Sequence, residues 1–175
     1  RIDPARMQPL VFGGTGSQSE LEQQPGFVPD RFEAGTSNGP GIAGLGAGVR
    51  YVLERGIGDI RQHEMQLTEQ LVYGLKELPG VVVYGSGDAW LQTATVSFNI
   101  TGLEPSEVAQ RLDEEYGILC RPGLHCAPSA HRTIGTFPHG TVRFALSVFN
   151  STHDVDTAIE AVSRIARSAH RQESK

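Results

Sequence analysis

The chain has 175 residues, 38% hydrophobic and 20% charged, with a net charge of −5 and two cysteines. That length carries one core-bearing domain, or a domain with an arm. The acidic balance argues against a nucleic-acid grip, no apolar run nears the roughly 20 residues of a membrane span, and two cysteines are too few for a disulfide framework, so a cytoplasmic protein is expected.

Arg1-Ile2-Asp3-Pro4 leads into no apolar stretch, so no secretory signal is expected at this end. Residues 1–39 read as an irregular arm: Gly13-Gly14-Thr15-Gly16-Ser17, a polar stretch to Gln24, then Pro25-Gly26 and Pro29-Asp30, with no sustained period of 3.6 or 2. Gly13 to Gly16 has the composition of an anion cradle, but a flexible turn explains it as well. Residues 40–175 read as the folded domain. Asn38-Gly39-Pro40 opens a helix over 40–55, whose Gly44, Gly46 and Gly48 imply close packing, since glycine inside a helix costs about 1 kcal/mol against alanine. A second helix over 57–78 carries Ile60, Met65, Leu67, Leu71, Val72, Leu75 and Leu78 at three- and four-residue steps, and Pro79-Gly80 stops it.

Val81 to Tyr84 is a β-branched strand. Gln92 to Ile100 alternates Ala94, Val96, Phe98 and Ile100 against Thr93, Thr95, Ser97 and Asn99, the pattern of a strand with one buried face. Pro105 opens a helix with Val108, Leu112 and Tyr116 on its apolar side, and Gly117 ends it. Strands follow at Ile118–Arg121 and Thr141–Ser147. Ser151 and Asp154 resemble a capping box before a last helix bearing Val155, Ile159, Val162 and Ile165, with a frayed tail from Ser168. The order implies an α+β fold, a small four-stranded, mostly antiparallel sheet with helices on one face.

Arg121-Pro122-Gly123-Leu124-His125-Cys126 concentrates a cation, two backbone breakers, an imidazole and a thiol. Cys126 lies in a Gly/Pro loop outside any periodic apolar segment, and cationic neighbours favour the nucleophilic thiolate. Cys120 ends an apolar strand and reads as structural. Cys120, His125, Cys126, His131 and His139 lie within twenty positions but lack the paired spacings of a zinc site, so no metal is expected. Arg143 sits mid-strand, either on an exposed sheet face or as a bidentate clamp for a carboxylate; spacing alone does not choose. Glu33 to Asn38 places a hydroxyl and free N–H groups before a helix, which suits an anion, though simple capping by Ser37 or Asn38 is the plainer reading.

Arg121-Pro-Gly-Leu-His125-Cys126-Ala, then Thr141-Val-Arg143-Phe and Phe149-Asn150-Ser-Thr152, with Arg31-Phe32-Glu33-Ala34-Gly35-Thr36 upstream, resembles the C-terminal part of cysteine desulfurases and selenocysteine lyases. These are class V, fold type I pyridoxal-phosphate enzymes. The resemblance implies that Cys126 takes sulfur from L-cysteine as a persulfide, leaving alanine. It implies that Arg143 binds the substrate carboxylate, with Arg121 as a second cation and His125 beside the thiolate. Thr36 would match the residue reaching a cofactor phosphate, that of the other protomer of a homodimer. It further implies a sulfur-acceptor protein and a place in iron–sulfur cluster assembly.

The family's Schiff-base lysine has no match, because the 15 basic residues are 13 Arg plus Lys76, near a helix end, and Lys175, the last residue. The chain is therefore expected to be the small domain and its leading arm, from a truncated, cleaved or split enzyme, and to be inactive alone. The alternatives are a selenocysteine lyase or other class V transferase, or a non-catalytic interaction domain.

Overall fold

The computed structural model describes residues 3–18 and 20–173. The chain divides into two compact units, the first ending at Glu54 and the second beginning at Arg55. The arm expected over 1–39 therefore shares its unit with most of α1 (Gly39–Arg55).

In the first unit the arm is irregular, with two short 3-10 turns at Pro4–Arg6 and Asp30–Phe32. Side chains and backbone tie it together in place of a ladder. Gly35 N–H donates to the Gly14 carbonyl at 2.7 Å, Arg31 Nη2 to the Met7 carbonyl at 3.2 Å, and Gln24 Nε2 to the Asp30 carbonyl at 3.2 Å. Asn38 caps α1, accepting from Gly41 N–H at 3.0 Å through Oδ1. The close packing expected of the α1 glycines is not made among the described residues: nothing lies within 4 Å of the Cβ positions of Gly44 and Gly48, and Ile42 and Leu53 are exposed.

The second unit holds α2 (Ile57–Lys76), β1 (Val81–Tyr84), β2 (Thr95–Ile100), α3 (Pro105–Tyr116), β3 (Arg121–Gly123), α4 (Pro128–Thr133), β4 (Thr141–Ala145) and α5 (Thr152–Glu173). The sheet runs β1-β2-β4-β3 and every neighbouring pair is antiparallel. Its alternation sends Val96, Phe98, Ile100, Val142 and Phe144 to one face. There they meet Leu71 and Leu75 of α2, Val108 and Leu112 of α3, and Val155, Val162 and Ile165 of α5. The Phe98 and Phe144 rings pack at 5.1 Å between centroids. A Cβ on Gly74 would run into the Ile159 side chain, so that glycine sets how closely α2 and α5 approach.

Among the boundaries that differ from expectation, α2 ends at Lys76, not Leu78, and β2 starts at Thr95, not Gln92. β3 starts at Arg121, not Ile118, because Ile118 N–H closes the end of α3 on the Leu112 carbonyl and Leu119 is 81% exposed. β4 stops at Ala145, because Ser147 N–H turns onto Asn150 Oδ1 at 2.9 Å. α5 does not fray at Ser168: Arg111 Nη1 donates to Ser168 Oγ at 2.9 Å, Ala169 is buried, and the helix runs to Glu173.

The capping box is present. Asp154 Oδ2 accepts from Ser151 N–H at 2.8 Å and from Ser151 Oγ at 3.0 Å, while Asp154 N–H donates to Ser151 Oγ at 3.3 Å. The Ser151 backbone and side-chain bonds hold the Asp154 carboxyl below its ordinary pKa. A carboxylate so depressed stabilises the fold above its unfolded pKa and loses that contribution as pH falls through the lower folded value. Ser151→Ala, which removes the hydroxyl bonds of this cap, is therefore expected to lower the melting temperature near neutral pH. In thermal melts the gap to the parent should narrow as pH drops below the ordinary carboxylate value of about 4.

Candidate functional site

β3 leads directly into the cysteine loop, so sheet pairing decides what the loop faces. The register places Arg121 of β3 opposite Arg143 of β4, Arg143 opposite Ser97 of β2, and Ser97 opposite Tyr84 of β1. These four side chains form one row across the face turned away from the helices. Two like charges directly opposite each other on a sheet are unfavourable unless an anion lies between or above them. Arg143 is half-buried, and its Nε is buried with no hydrogen-bond partner. A buried N–H left unpaired on a guanidinium is suited to a carboxylate.

Beyond Gly123 the chain turns sharply, with Ala127 N–H donating to the Leu124 carbonyl at 2.8 Å. His125 and Cys126 both sit in the left-handed region, at φ 52° and 60°. For non-glycine residues this costs of order 1–3 kcal/mol each, and it persists only where surrounding contacts impose it. Cys126 is exposed and Cys120 is half-buried against the core. Burial, with a smaller contribution from Asp113, pushes the Cys120 thiol up to about 11, which fits its structural reading.

His125 Nε2 lies 2.9 Å from the Arg121 carbonyl. A carbonyl only accepts, so the neutral ring carries its proton on Nε2 and leaves Nδ1 bare. Burial first, then electrostatic repulsion from Arg143, His131 and Arg121, lowers the His125 pKa despite the Arg121 hydrogen bond. His125 is therefore a neutral imidazole at pH 7, a hydrogen-bonding neighbour of the thiol more than a cation beside it.

The other two histidines go elsewhere. His131 is buried, with Nδ1 at 2.7 Å from Thr136 Oγ1, and His139 pairs with Glu104 of the α3 entry at 2.8 Å. Among the described residues no group of three or more His, Cys, Asp or Glu is placed to hold a metal. Three residues behind the loop gave no signal as site residues in the sequence. Asn99 takes Gly140 and Val142 with its amide, Nδ2 donating to the Gly140 carbonyl at 3.0 Å and Oδ1 accepting from Val142 N–H at 3.3 Å. Gly140 in turn backs onto Gly123, where an added Cβ would overlap the Gly123 carbonyl group. Thr136 accepts from Gly140 N–H at 2.7 Å.

Cys126, His125, Arg121 and Arg143 thus come together in the second unit. Thr36 is exposed in the first, on the loop between the Asp30–Phe32 turn and α1. The arginine row fits a carboxylate-bearing substrate. No residue of the described chain fits the covalent anchor of a pyridoxal cofactor: Lys76 Nζ lies against Gly87 in the β1–β2 loop, at the sheet edge opposite β3, and Lys175 is outside the described residues.

A family model described as aminotransferase class-V matches residues 4–158. A probable cysteine desulfurase from Methanothermobacter thermautotrophicus is 35% identical over 165 residues, covering 91% of this chain and 40% of that protein. Another from Pyrococcus abyssi is 37% identical over 164 residues, with 91% and 39% covered. The apo structure of a cysteine desulfurase from Thermococcus onnurineus NA1 superposes with a TM-score of 0.73 at 38% identity, over 80% of this chain and 34% of that one. That of the cysteine desulfurase CsdA from Escherichia coli gives 0.72 at 26% identity, over 90% and 38%. The chain spans about two fifths of the length of the curated relatives it matches.

Proposed function

This chain belongs to the aminotransferase class-V family, whose members are generally pyridoxal-phosphate-dependent, and on that premise we propose that it is the C-terminal, substrate-facing part of a cysteine desulfurase. The observation that carries the reading is the exposed, left-handed Cys126 on the loop leaving β3, whose Arg121 lies opposite the half-buried Arg143 with its unpaired Nε.

In this reading Arg143 fixes the carboxylate of L-cysteine by charge-assisted hydrogen bonds, and Arg121 adds a second positive charge near the reacting sulfur. The Cys126 thiolate attacks the substrate sulfur. A sulfur–sulfur bond forms as the substrate carbon–sulfur bond breaks, and that bond's electron pair stays with the carbon, which takes a proton and leaves as L-alanine. Cys126 then holds a persulfide for a protein acceptor. Pyridoxal phosphate, when bound, supplies the electron sink. Thr36 contributes a hydroxyl to a cofactor phosphate across a homodimer. The anchoring lysine has to come from other residues of the enzyme, so the 175-residue chain alone is expected to be inactive.

The test mixes this chain with a pyridoxal-phosphate-loaded large-domain polypeptide from a relative and supplies L-cysteine. Alanine should appear together with a mass gain of one sulfur atom on the Cys126 peptide. Alanine formed with no sulfur on that peptide, or no alanine from a complex shown to assemble, defeats the proposal.

A further inference from the structure

His131 is one of few polar side chains buried in this unit, at 5% exposure. A buried imidazole needs a partner, and Thr136 Oγ1 supplies it at 2.7 Å from Nδ1. Thr136 is itself pinned, donating N–H to the His131 carbonyl at 2.9 Å and accepting from Gly140 N–H at 2.7 Å. His131 N–H in turn donates to the Ala127 carbonyl at 3.2 Å, just past the cysteine. The His131 ring meets the His125 ring at 5.8 Å between centroids, tilted by 48°. His125 is held on its other side by the Arg121 carbonyl. The ring of His131 is thus wedged between the fixed turn over 134–140 and the strained pair His125-Cys126. Left-handed non-glycine backbone relaxes when its supports go, and this is the one aromatic support found for that pair among the described residues.

We propose that His131 is a positioning residue: anchored by Thr136, its ring braces His125 and so keeps Cys126 in its exposed left-handed presentation. That this presentation is the productive one rests on the desulfurase reading; the brace does not.

The test uses the 175-residue chain and no cofactor. His131→Asn keeps a group able to bond Thr136 and removes the ring, while His131→Phe keeps the ring and gives up the bond. Two readouts are the NMR titration of His125 and the amide exchange of Ala127, whose N–H closes the loop. His125 feels Arg121 of β3, Arg143 of β4 and His131 of α4, with burial the largest influence. Removing the ring opens His125 to water and relieves the burial that chiefly lowers its pKa, so in His131→Asn its titration should move up toward the ordinary imidazole value. Ala127 exchange should quicken about tenfold while β2 and β4 amides hold, the mark of local opening. His131→Phe should restore both readouts only in part, since the ring returns without its bond to Thr136. The proposal fails if His131→Asn leaves His125 and Ala127 at parent values, or if exchange quickens equally throughout the sheet. Should His131→Asn not fold, Thr136→Val removes only the anchor, and an unmoved His125 titration there is equally fatal. Neither readout depends on sulfur gain by Cys126, so failure here and failure of the desulfurase proposal are separable.

Discussion

Cys126→Ala is expected to eliminate persulfide formation in the reconstituted enzyme, lowering alanine production by more than about 10³-fold, as loss of a nucleophile from a cooperating set does. The fold should survive. Cys126 is exposed, so truncating it opens no cavity, and alanine meets the same left-handed backbone that cysteine already tolerates. The other thiol of this chain is not expected to stand in. Cys120 packs against the core edge, and with its pKa pushed up to about 11 it is a protonated thiol at working pH. Alanine release and trapping of protein-bound persulfide measure the outcome. Desulfuration continuing at the parent rate in Cys126→Ala would show that the thiol is not the sulfur acceptor.

Gly140→Ala is expected to be the most damaging single methyl that can be added near the site. The residue has φ +84°, and its Cβ would overlap the carbonyl carbon and oxygen of Gly123. Those are backbone atoms on the strand beside it and cannot rotate away. β3 has to lift from the start of β4, and the Asn99 bond to the Gly140 carbonyl is lost with it. Left-handed strain and overpacking together come to roughly 3 kcal/mol. For a unit of this size that lowers Tm by about 10 °C, measurable by thermal circular dichroism. The arginine row should also lose register, so assembly with the large domain should yield less persulfide per folded chain. An unchanged Tm would mean that the two strands part here at little cost.

Much of the fold was legible before any coordinates. Leu67, Leu71, Val72 and Leu75 announce their helix by spacing, and all four are buried. Ala94, Val96, Phe98 and Ile100 announce one face of a strand, and all four face the core. Ser151 and Asp154 announce a cap by chemistry, and the reciprocal bonds are there. Periodicity and caps are local, and a local signal survives in one dimension. The boundaries at Ile118, Ser147 and Ser168 each moved because of a partner not adjacent in sequence or because a turn competed for the same N–H.

The site divides along the same line. Cys126 stood out because a thiol in a Gly/Pro loop beside a histidine is unusual wherever the loop goes. For Arg143, spacing left open whether it was a surface residue or a clamp. The pairing register adds what spacing could not: it sets Arg121 opposite Arg143, whose Nε is buried without a partner, and the clamp is proposed on that ground. His131 and His139 looked alike on the page of letters and became different residues in space, one a buried partner of Thr136 and the other an exposed partner of Glu104. The sequence by itself determined the main helices and strands, the helical core face and the family, and it singled out the Cys126 thiol, because each is carried by residue identity and short-range spacing; α4 was not among the expected elements. Only the tertiary structure decided the left-handed turn at His125-Cys126, its His131 support, the Gly123–Gly140 approach and the opposed arginines, because all of these depend on which strands pair and in what register.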